Sequence, residues 1–132
     1  MVSLIRGNRG QSVVEFALVL PLLLMLLFGI TELGRAIMTK NVLTSAAREG
    51  ARLAIVSEPG SNEVTKRVEQ VCRAAGIATP EVEVSPLDPV TGQIRVTVRS
   101  MFVIIPGTGI FNDAIPGRFT IGATAVMRHE AL

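Results

Sequence analysis

The chain has 132 residues, of which 48% are hydrophobic, so it is long enough for one small domain. Its net charge is only +2 and it has neither Trp nor Tyr, which excludes a basic surface with interleaved aromatic residues; nucleic-acid binding is therefore not expected. The single cysteine excludes an intramolecular disulfide.

Residues 1–10 form a short basic leader that ends in glycine. Arg6 and Arg9 supply the net charge, because residues 11–132 carry 11 basic and 11 acidic side chains (13 − 2 and 11). Positive residues before an apolar run predict a cytoplasmic N-terminus, with the C-terminal part on the other side of the membrane.

An almost uncharged apolar run follows the leader. Between Val13 and Ile30 the only charged residue is Glu15. Eighteen helical residues span about 27 Å, close to the roughly 30 Å hydrocarbon core of a bilayer. The sequence predicts a membrane-spanning helix; the alternative is a buried helix of a soluble protein, although so small a domain has little to surround it. The predicted membrane segment includes Val13, Phe16, Leu20, Pro21, Leu24, Phe28 and Ile30.

Helix-forming residues continue beyond the apolar run. No proline occurs between Ile30 and Val56, and apolar side chains recur there at helical spacing. We expect one continuous helix over residues 11–56, membrane-spanning in its first half and amphipathic in its second. Its small residues, among them Ala47 and Gly50, would allow another backbone to pack closely.

A short second helix is expected after the break at Ser57-Glu58-Pro59-Gly60. Ser61 or Asn62 can cap this helix, which would end near Ala75. Cys72 lies on its apolar face and is predicted to be a core residue, with an intermolecular disulfide as the alternative. That face should cover the sheet that follows.

Three segments with alternating apolar positions make up the rest of the chain: Glu81–Ser85, Gln93–Ile105 and Phe119–Met127. The second half of the middle segment is apolar on both faces, which predicts burial against another element or another subunit. The predicted fold class is therefore α+β. It has a long N-terminal transmembrane and assembly helix, a short second helix and an antiparallel sheet of about three strands. Residues 57–132 would form an extracytoplasmic α/β part.

Nothing in the sequence predicts catalysis. The only histidine, His129, lies three residues from the C-terminus, and no His, Cys and carboxylate grouping has metal-ligand spacing. Gly107-Thr108-Gly109 lacks the pattern of a phosphate-binding loop and is predicted to be a turn. We therefore expect no enzyme activity, no metal or other cofactor and no small-molecule substrate.

Glu15 is the residue that requires a functional explanation. An ionised carboxylate at a membrane boundary is costly, and such residues usually pair with a partner or mark function. If the chain were cut after Gly10, the new α-amino group of Gln11 would lie one helical turn from Glu15. It could form an ion pair with Glu15 of the same chain or of a neighbouring copy. The alternative is that Glu15 simply lies in the headgroup layer.

The N-terminal segment RGQSVVEFALVLPLL, which starts at Arg9, resembles type IV prepilins. Within that class it is similar to the TadE-like family of Tad pilus systems, and TSAAREGAR, from Thr44 onward, extends the similarity along the helix. Prepilin leaders end in glycine at a peptidase site and have glutamate at the fifth mature position. Gly10, Gln11 and Glu15 occupy those positions here. Beyond Val56 the resemblance is only architectural.

The resemblance implies a minor pilin or pseudopilin that a prepilin peptidase cleaves at the inner membrane and that enters or primes an adhesion fibre. The implied partners are other pilin subunits, the peptidase, the assembly platform protein and ATPase, and membrane lipid. The folded α/β part favours a minor, priming or tip-associated role, because the major pilins of these systems are shorter and nearly all helix. One alternative is a permanently anchored single-pass accessory or binding protein of a pilus or secretion assembly. An ordinary signal peptide is a further alternative, although the apolar run exceeds its usual length.

Overall fold

A computed structural model describes residues 7–57, 62–104 and 117–128. The chain order is α1 (Gly7–Val56), α2 (Glu63–Ala74), β1 (Glu81–Val84), β2 (Gln93–Val103) and β3 (Arg118–Arg128). This arrangement confirms the predicted α+β class with its long N-terminal apolar helix, short second helix and three-stranded antiparallel sheet. The chain divides into two compact units, Met1–Gly34 and Arg35–Leu132.

The N-terminal part of α1 dominates the first unit. The helix already begins at Gly7, before the predicted start at Gln11, and continues through Pro21. Every large apolar side chain from Val13 to Leu33 is exposed. The helix satisfies backbone polar groups internally, which is the condition for a segment to lie in lipid.

In the second unit, α1 and α2 cover one face of the sheet. The buried residues of α1 are mostly small: Leu43, Ala46, Ala47, Gly50 and Ala51. They join a core that also contains Val64, Val68, Cys72, Ile94, Val96, Val98 and Ala123. A Cβ atom at Gly50 would lie 2.6 Å from Cγ2 of Val68 and 3.2 Å from Cγ1 of Val96. The absence of a side chain at Gly50 therefore sets how closely α1 approaches α2 and the sheet.

The strand order is β1-β2-β3, and both pairings are antiparallel. The alternation predicted for the middle strand is confirmed, and the side chains buried on its helix-covered face include Ile94, Val96, Val98 and Phe102. The rings of Phe102 and Phe119 lie 5.0 Å apart between centroids. The Arg35 guanidinium carbon of α1 lies 5.0 Å from the Phe102 ring centroid, within cation–π range.

The outer face of the sheet corrects one prediction. Met101 and Val103, in the apolar second half of β2, are 63% and 42% exposed. The prediction that another element of the chain buries them is therefore wrong for the residues described. The strand alternation shows which residues share a face, but it does not show what lies opposite them. Burial against another subunit stays a prediction.

The ends of α2 match the prediction only in part. The helix follows Asn62, whose side chain makes no capping hydrogen bond, so capping by that side chain is wrong; Ser61 lies outside the described residues. At the other end Gly76 has a φ of 82°, and the Ile77 N–H donates to the Cys72 carbonyl at 2.9 Å. This hydrogen bond across a left-handed residue is typical of a glycine helix ending.

The turn between β1 and β2 is organised by Asp88. Its carboxylate accepts hydrogen bonds from the Thr91 hydroxyl at 2.7 Å and from the Val90 N–H at 2.9 Å. These bonds favour the ionised form and lower the pKa of Asp88, the Thr91 hydroxyl contributing most. Gly92, with a φ of 65°, donates its N–H to the Asp88 carbonyl at 2.8 Å.

Candidate functional site

Gln11 and Glu15, two residues of the predicted site, are in contact on α1. The side-chain Nε2 of Gln11 donates a hydrogen bond to Oε1 of Glu15 at 3.2 Å. Helix geometry explains this contact, because side chains four positions apart share a face and point towards the helix N-terminus. The side-chain amide of Gln11 therefore contacts the Glu15 carboxylate directly.

The peptide bond between Gly10 and Gln11 lies inside α1, which starts at Gly7. A Cβ atom at position 10 would have nothing within 4 Å. Glycine disfavours a helix interior by about 1 kcal/mol relative to alanine, and both Gly7 and Gly10 lie in the first turn. The turn around the predicted cut is therefore helical but intrinsically weak.

The predicted membrane residues are all exposed: Val13, Phe16, Leu20, Pro21, Leu24, Phe28 and Ile30. Among the described residues only α1 is long and apolar enough to cross a membrane. Its most apolar 18-residue window has a mean hydropathy of 2.6, and none of that window is buried. The described residues of the chain therefore do not bury this helix, as the alternative of a buried soluble helix requires, and α1 has the character of a single-pass membrane anchor.

Two carboxylates bracket the uncharged part of α1. Glu15 precedes it and Glu32 follows it, with residues 16–31 uncharged. At 1.5 Å per residue this stretch is about 24 Å long. Near its second end the Thr31 hydroxyl donates to the Leu27 carbonyl at 2.8 Å, so this polar group is satisfied within the helix.

A shallow groove on α1 is absent from the sequence predictions. It surrounds Gly29 and is lined by Leu22, Leu23, Met25, Leu26, Gly29, Ile30 and Leu33. The groove exists because Gly29 has no side chain among larger neighbours, and nothing lies within 4 Å of a Cβ atom built there. Helical spacing in the sequence could have indicated it. Glu15, Leu22 and Gly29 follow each other at intervals of seven residues, so they lie on one side of the helix.

The other residues considered for chemistry contribute no site. No three His, Cys, Asp or Glu side chains in residues 7–57, 62–104 and 117–128 group so as to hold a metal ion. His129 and Gly107-Thr108-Gly109 lie outside the described residues. Cys72 is a buried free thiol, which confirms it as a core residue, and burial raises its pKa.

The long exposed apolar helix, its leading carboxylate and the following α/β unit give the chain a pilin-like organisation with one candidate membrane-spanning helix. The family model of TadE-like proteins matches residues 10–52, less than half of the chain, and confirms the resemblance over that segment. The segment is TadE-like, and the family is a structural, pilus-associated one. The match begins at Gly10 and includes Gln11, Glu15 and the apolar run. No curated protein and no solved structure matches the chain.

Proposed function

We propose that the protein is a minor pilin or pseudopilin of a Tad-type pilus, cut between Gly10 and Gln11 by a prepilin peptidase. The observation that carries this proposal is the contact between Gln11 and Glu15 at the start of a fully exposed apolar helix. The TadE-like match supports it, because the matched segment begins at the proposed cut.

Cleavage would change the charge next to Glu15. Gln11 would gain an α-ammonium group one turn from the carboxylate that its side chain already contacts. The first turn of uncut α1 has no acidic residue. A helix that begins at Gln11 has Glu15 close to its N-terminus, where a carboxylate interacts favourably with the helix dipole. In a medium of low dielectric constant, the attraction between the ammonium and the carboxylate offsets part of the free energy that it costs to remove each charge from water.

The peptidase needs access to a bond that lies inside a helix. Gly7 and Gly10 weaken the first turn, and the open space around position 10 leaves room for an enzyme to approach. We expect local unwinding of this turn to precede cleavage. The two glycines would make that step inexpensive.

Before assembly the apolar helix would anchor the protein in the inner membrane with a cytoplasmic N-terminus. In the fibre, contacts with other pilin helices would replace lipid around the same side chains. Extraction would require the platform protein and the ATPase, since transfer out of lipid does not occur spontaneously. The α/β unit would remain outside the cytoplasm and contribute to an adhesion surface.

The mature N-terminus tests the proposed cleavage. Intact mass and N-terminal sequencing of protein extracted from membranes of peptidase-containing cells should give a chain that starts at Gln11. Gly10→Val should accumulate as the precursor, whereas Gly34→Val, which lies in open space far from the first turn, should still be cut. Recovery of wild-type protein with an intact Met1 contradicts the proposal.

Substitution of Glu15 tests its role in assembly separately. Glu15→Ala should be cleaved largely as wild type but should enter fibres poorly, because the new ammonium loses its carboxylate partner. Glu32→Ala removes the carboxylate at the other end of the uncharged stretch and serves as the matched control. Normal incorporation of Glu15→Ala into fibres would remove the ion-pair argument.

One observation favours the alternative of a permanently anchored accessory protein. α1 is helical across the Gly10–Gln11 bond, so this bond is not presented in an extended form. Cross-linking from positions 22–30 distinguishes the two functions. A fibre subunit contacts other pilins through this segment, whereas a permanent anchor contacts lipid there.

A further inference from the structure

We infer that a surface at one end of the sheet binds the lipid headgroups of the membrane in which α1 is anchored. This headgroup surface consists of Met101, Val103, Arg118 and Phe119. The inference rests on the membrane anchor of the proposed function. It goes beyond that function because it gives the α/β unit a lipid contact of its own.

The course of α1 inside the second unit shows which end of the sheet lies nearest to Arg35, the first residue of that unit. The Arg35 guanidinium carbon lies 5.0 Å from the ring centroid of Phe102, near the C-terminal end of β2. Further along α1, a Cβ atom at Gly50 would lie 3.2 Å from Cγ1 of Val96, which comes earlier in β2. The chain therefore enters the unit at the end of the sheet that holds the headgroup surface.

Only a short piece of chain separates this end of the sheet from the apolar segment. The uncharged stretch of α1 ends at Thr31, and Arg35 follows four residues later. Four residues span at most about 14 Å, in whatever direction they run. The headgroup region on each side of a bilayer is about 5–8 Å thick. Arg35 and the Phe102 ring that it contacts therefore lie in the headgroup region or just beyond it.

The headgroup surface exposes apolar side chains that no described residue covers. On the outer face of β2, Met101 is 63% exposed and Val103 is 42% exposed. Phe119, near the start of β3, is 43% exposed although its ring lies beside that of the buried Phe102. Apolar and aromatic side chains at a membrane boundary bury their surface between the headgroups and the first acyl carbons.

The charge of the same surface matches anionic lipid headgroups. Arg118 is exposed and lies directly opposite Val103 in the pairing of β2 with β3. The described residues at this end of the sheet, 101–104 and 117–120, include no acidic side chain. One arginine near an anionic surface strengthens binding about fivefold. A cation beside exposed apolar side chains therefore favours a membrane surface that contains anionic lipid.

Distance from the membrane separates the two ends of the sheet. Arg128 and Val126 provide a similar mixture of cation and exposed apolar side chain at the other end. Gln93 marks that end on β2, eight residues from Met101, which is about 27 Å at 3.4 Å per residue. This distance exceeds the thickness of the headgroup region, so the far end supplies matched controls.

Quenchers attached to lipid test the headgroup surface. The full chain carries an environment-sensitive fluorophore at Met101→Cys or, as the matched control, at Gln93→Cys on the same strand and face. Cys72 is kept because its side chain is fully buried, and the unsubstituted chain gives the background labelling. Each protein is inserted into vesicles of phosphatidylcholine and phosphatidylglycerol that contain lipid with a nitroxide on the headgroup. A fluorophore at Leu24→Cys, with the nitroxide on the acyl chain, reports insertion of α1.

The fluorophore at position 101 should lose most of its intensity to the headgroup nitroxide, whereas the fluorophore at position 93 should keep its intensity. Equal quenching at the two positions, or no quenching at either, overturns the inference. A second protein subunit is the other possible occupant of this surface. Shielding of position 101 from an aqueous quencher that appears only at high protein density, without quenching by lipid, would assign the surface to that subunit and also overturn the inference.

Neutralising one arginine tests the contribution of charge. Arg118→Gln should lower the ratio of docked to undocked units about fivefold in vesicles that contain phosphatidylglycerol, the effect of one arginine at an anionic surface. Its effect should disappear in phosphatidylcholine alone. Arg128→Gln is the matched control at the other end of β3, on the same face, and should leave the quenching unchanged. Equal effects of the two substitutions contradict the assigned end of the sheet.

The outcomes separate this inference from the proposed function. If acyl-chain nitroxide quenches the fluorophore at position 24 while headgroup nitroxide does not quench that at position 101, only the headgroup surface is wrong. If the fluorophore at position 24 is not quenched, α1 does not enter the bilayer, and the proposed function and the inference both fail.

Discussion

The two parts of α1 show opposite relations between side-chain size and burial. Up to Gly34 the apolar side chains are mostly large and are exposed, for example Leu26 at 61%. Beyond Arg35 the inward positions are mostly small and fully buried, for example Ala47 at 0%. Small residues let the helix approach its own sheet, whereas the large exposed residues have no covering partner among the described residues. Lipid and other pilin subunits are the partners that the proposed function would supply for this first part.

The largest effect is expected on the stability of the second unit, when leucine replaces a buried helical glycine, Gly50, in comparison with an exposed one, Gly34. Gly50→Leu should destabilise the second unit by about 3 kcal/mol, the upper part of the range for overpacking, because a Cβ atom alone already meets Val68 and Val96. Gly34→Leu places the same side chain in open space and should change stability by less than about 1 kcal/mol. Urea unfolding of the detergent-solubilised full chain measures both, and similar midpoints would contradict the contrast.

A charged residue in the apolar part of α1 should weaken membrane insertion, whereas a charged residue in the second unit should not. Leu24→Arg should weaken membrane insertion by about 2.5–3.5 kcal/mol, the cost of arginine near the centre of a spanning helix. Met38→Arg, at a position that is 68% exposed in the second unit, is the control and should insert normally. The fraction that resists alkaline extraction from membranes reports insertion. Equal extraction of both variants would mean that α1 does not span the bilayer at Leu24.

Much of the fold is predictable because short-range periodicity determines it. Alternation in β2 identifies Val96 and Val98 as core residues, and helical spacing in α2 identifies Cys72. The exposure of Met101 was not predictable in this way, since it depends on which element lies opposite the outer face. The missing Asn62 cap has a similar cause: a residue type suited to capping does not ensure that its side chain adopts the capping geometry.

The candidate site is predictable where it depends on spacing along one helix. The four-residue interval between Gln11 and Glu15 predicts their proximity, and the structure places them in hydrogen-bond contact. The prediction concerned the backbone nitrogen of Gln11, however, and did not include its side-chain amide. To predict the groove at Gly29 from the sequence, the side chains around that residue have to be placed together on a helix surface.

The thiol of Cys72 should report the opening of the second unit. Because the side chain is buried and its pKa is raised, alkylation near neutral pH should be at least about tenfold slower than at Met38→Cys, and denaturant should remove the difference. The raised pKa also makes the folded state less favourable as the pH rises above the thiol's unfolded value. Cys72→Ala should therefore reduce the alkaline loss of stability. Rapid alkylation of the native protein would show that the core around α2 opens easily.

The smallest effect is expected at the exposed turn between β1 and β2. The pKa of Asp88 is lower in the folded chain than its unfolded value of about 3.9, so ionised Asp88 stabilises the folded state above that value. This contribution is lost as the pH falls through the lower, folded pKa. Asp88→Asn should therefore be less stable than wild type at pH 7, and the difference should shrink at pH 3. Urea unfolding at the two pH values measures it, with Glu81→Gln as the control carboxylate on β1. A constant difference would mean that the turn depends on the shape of the side chain and not on its charge.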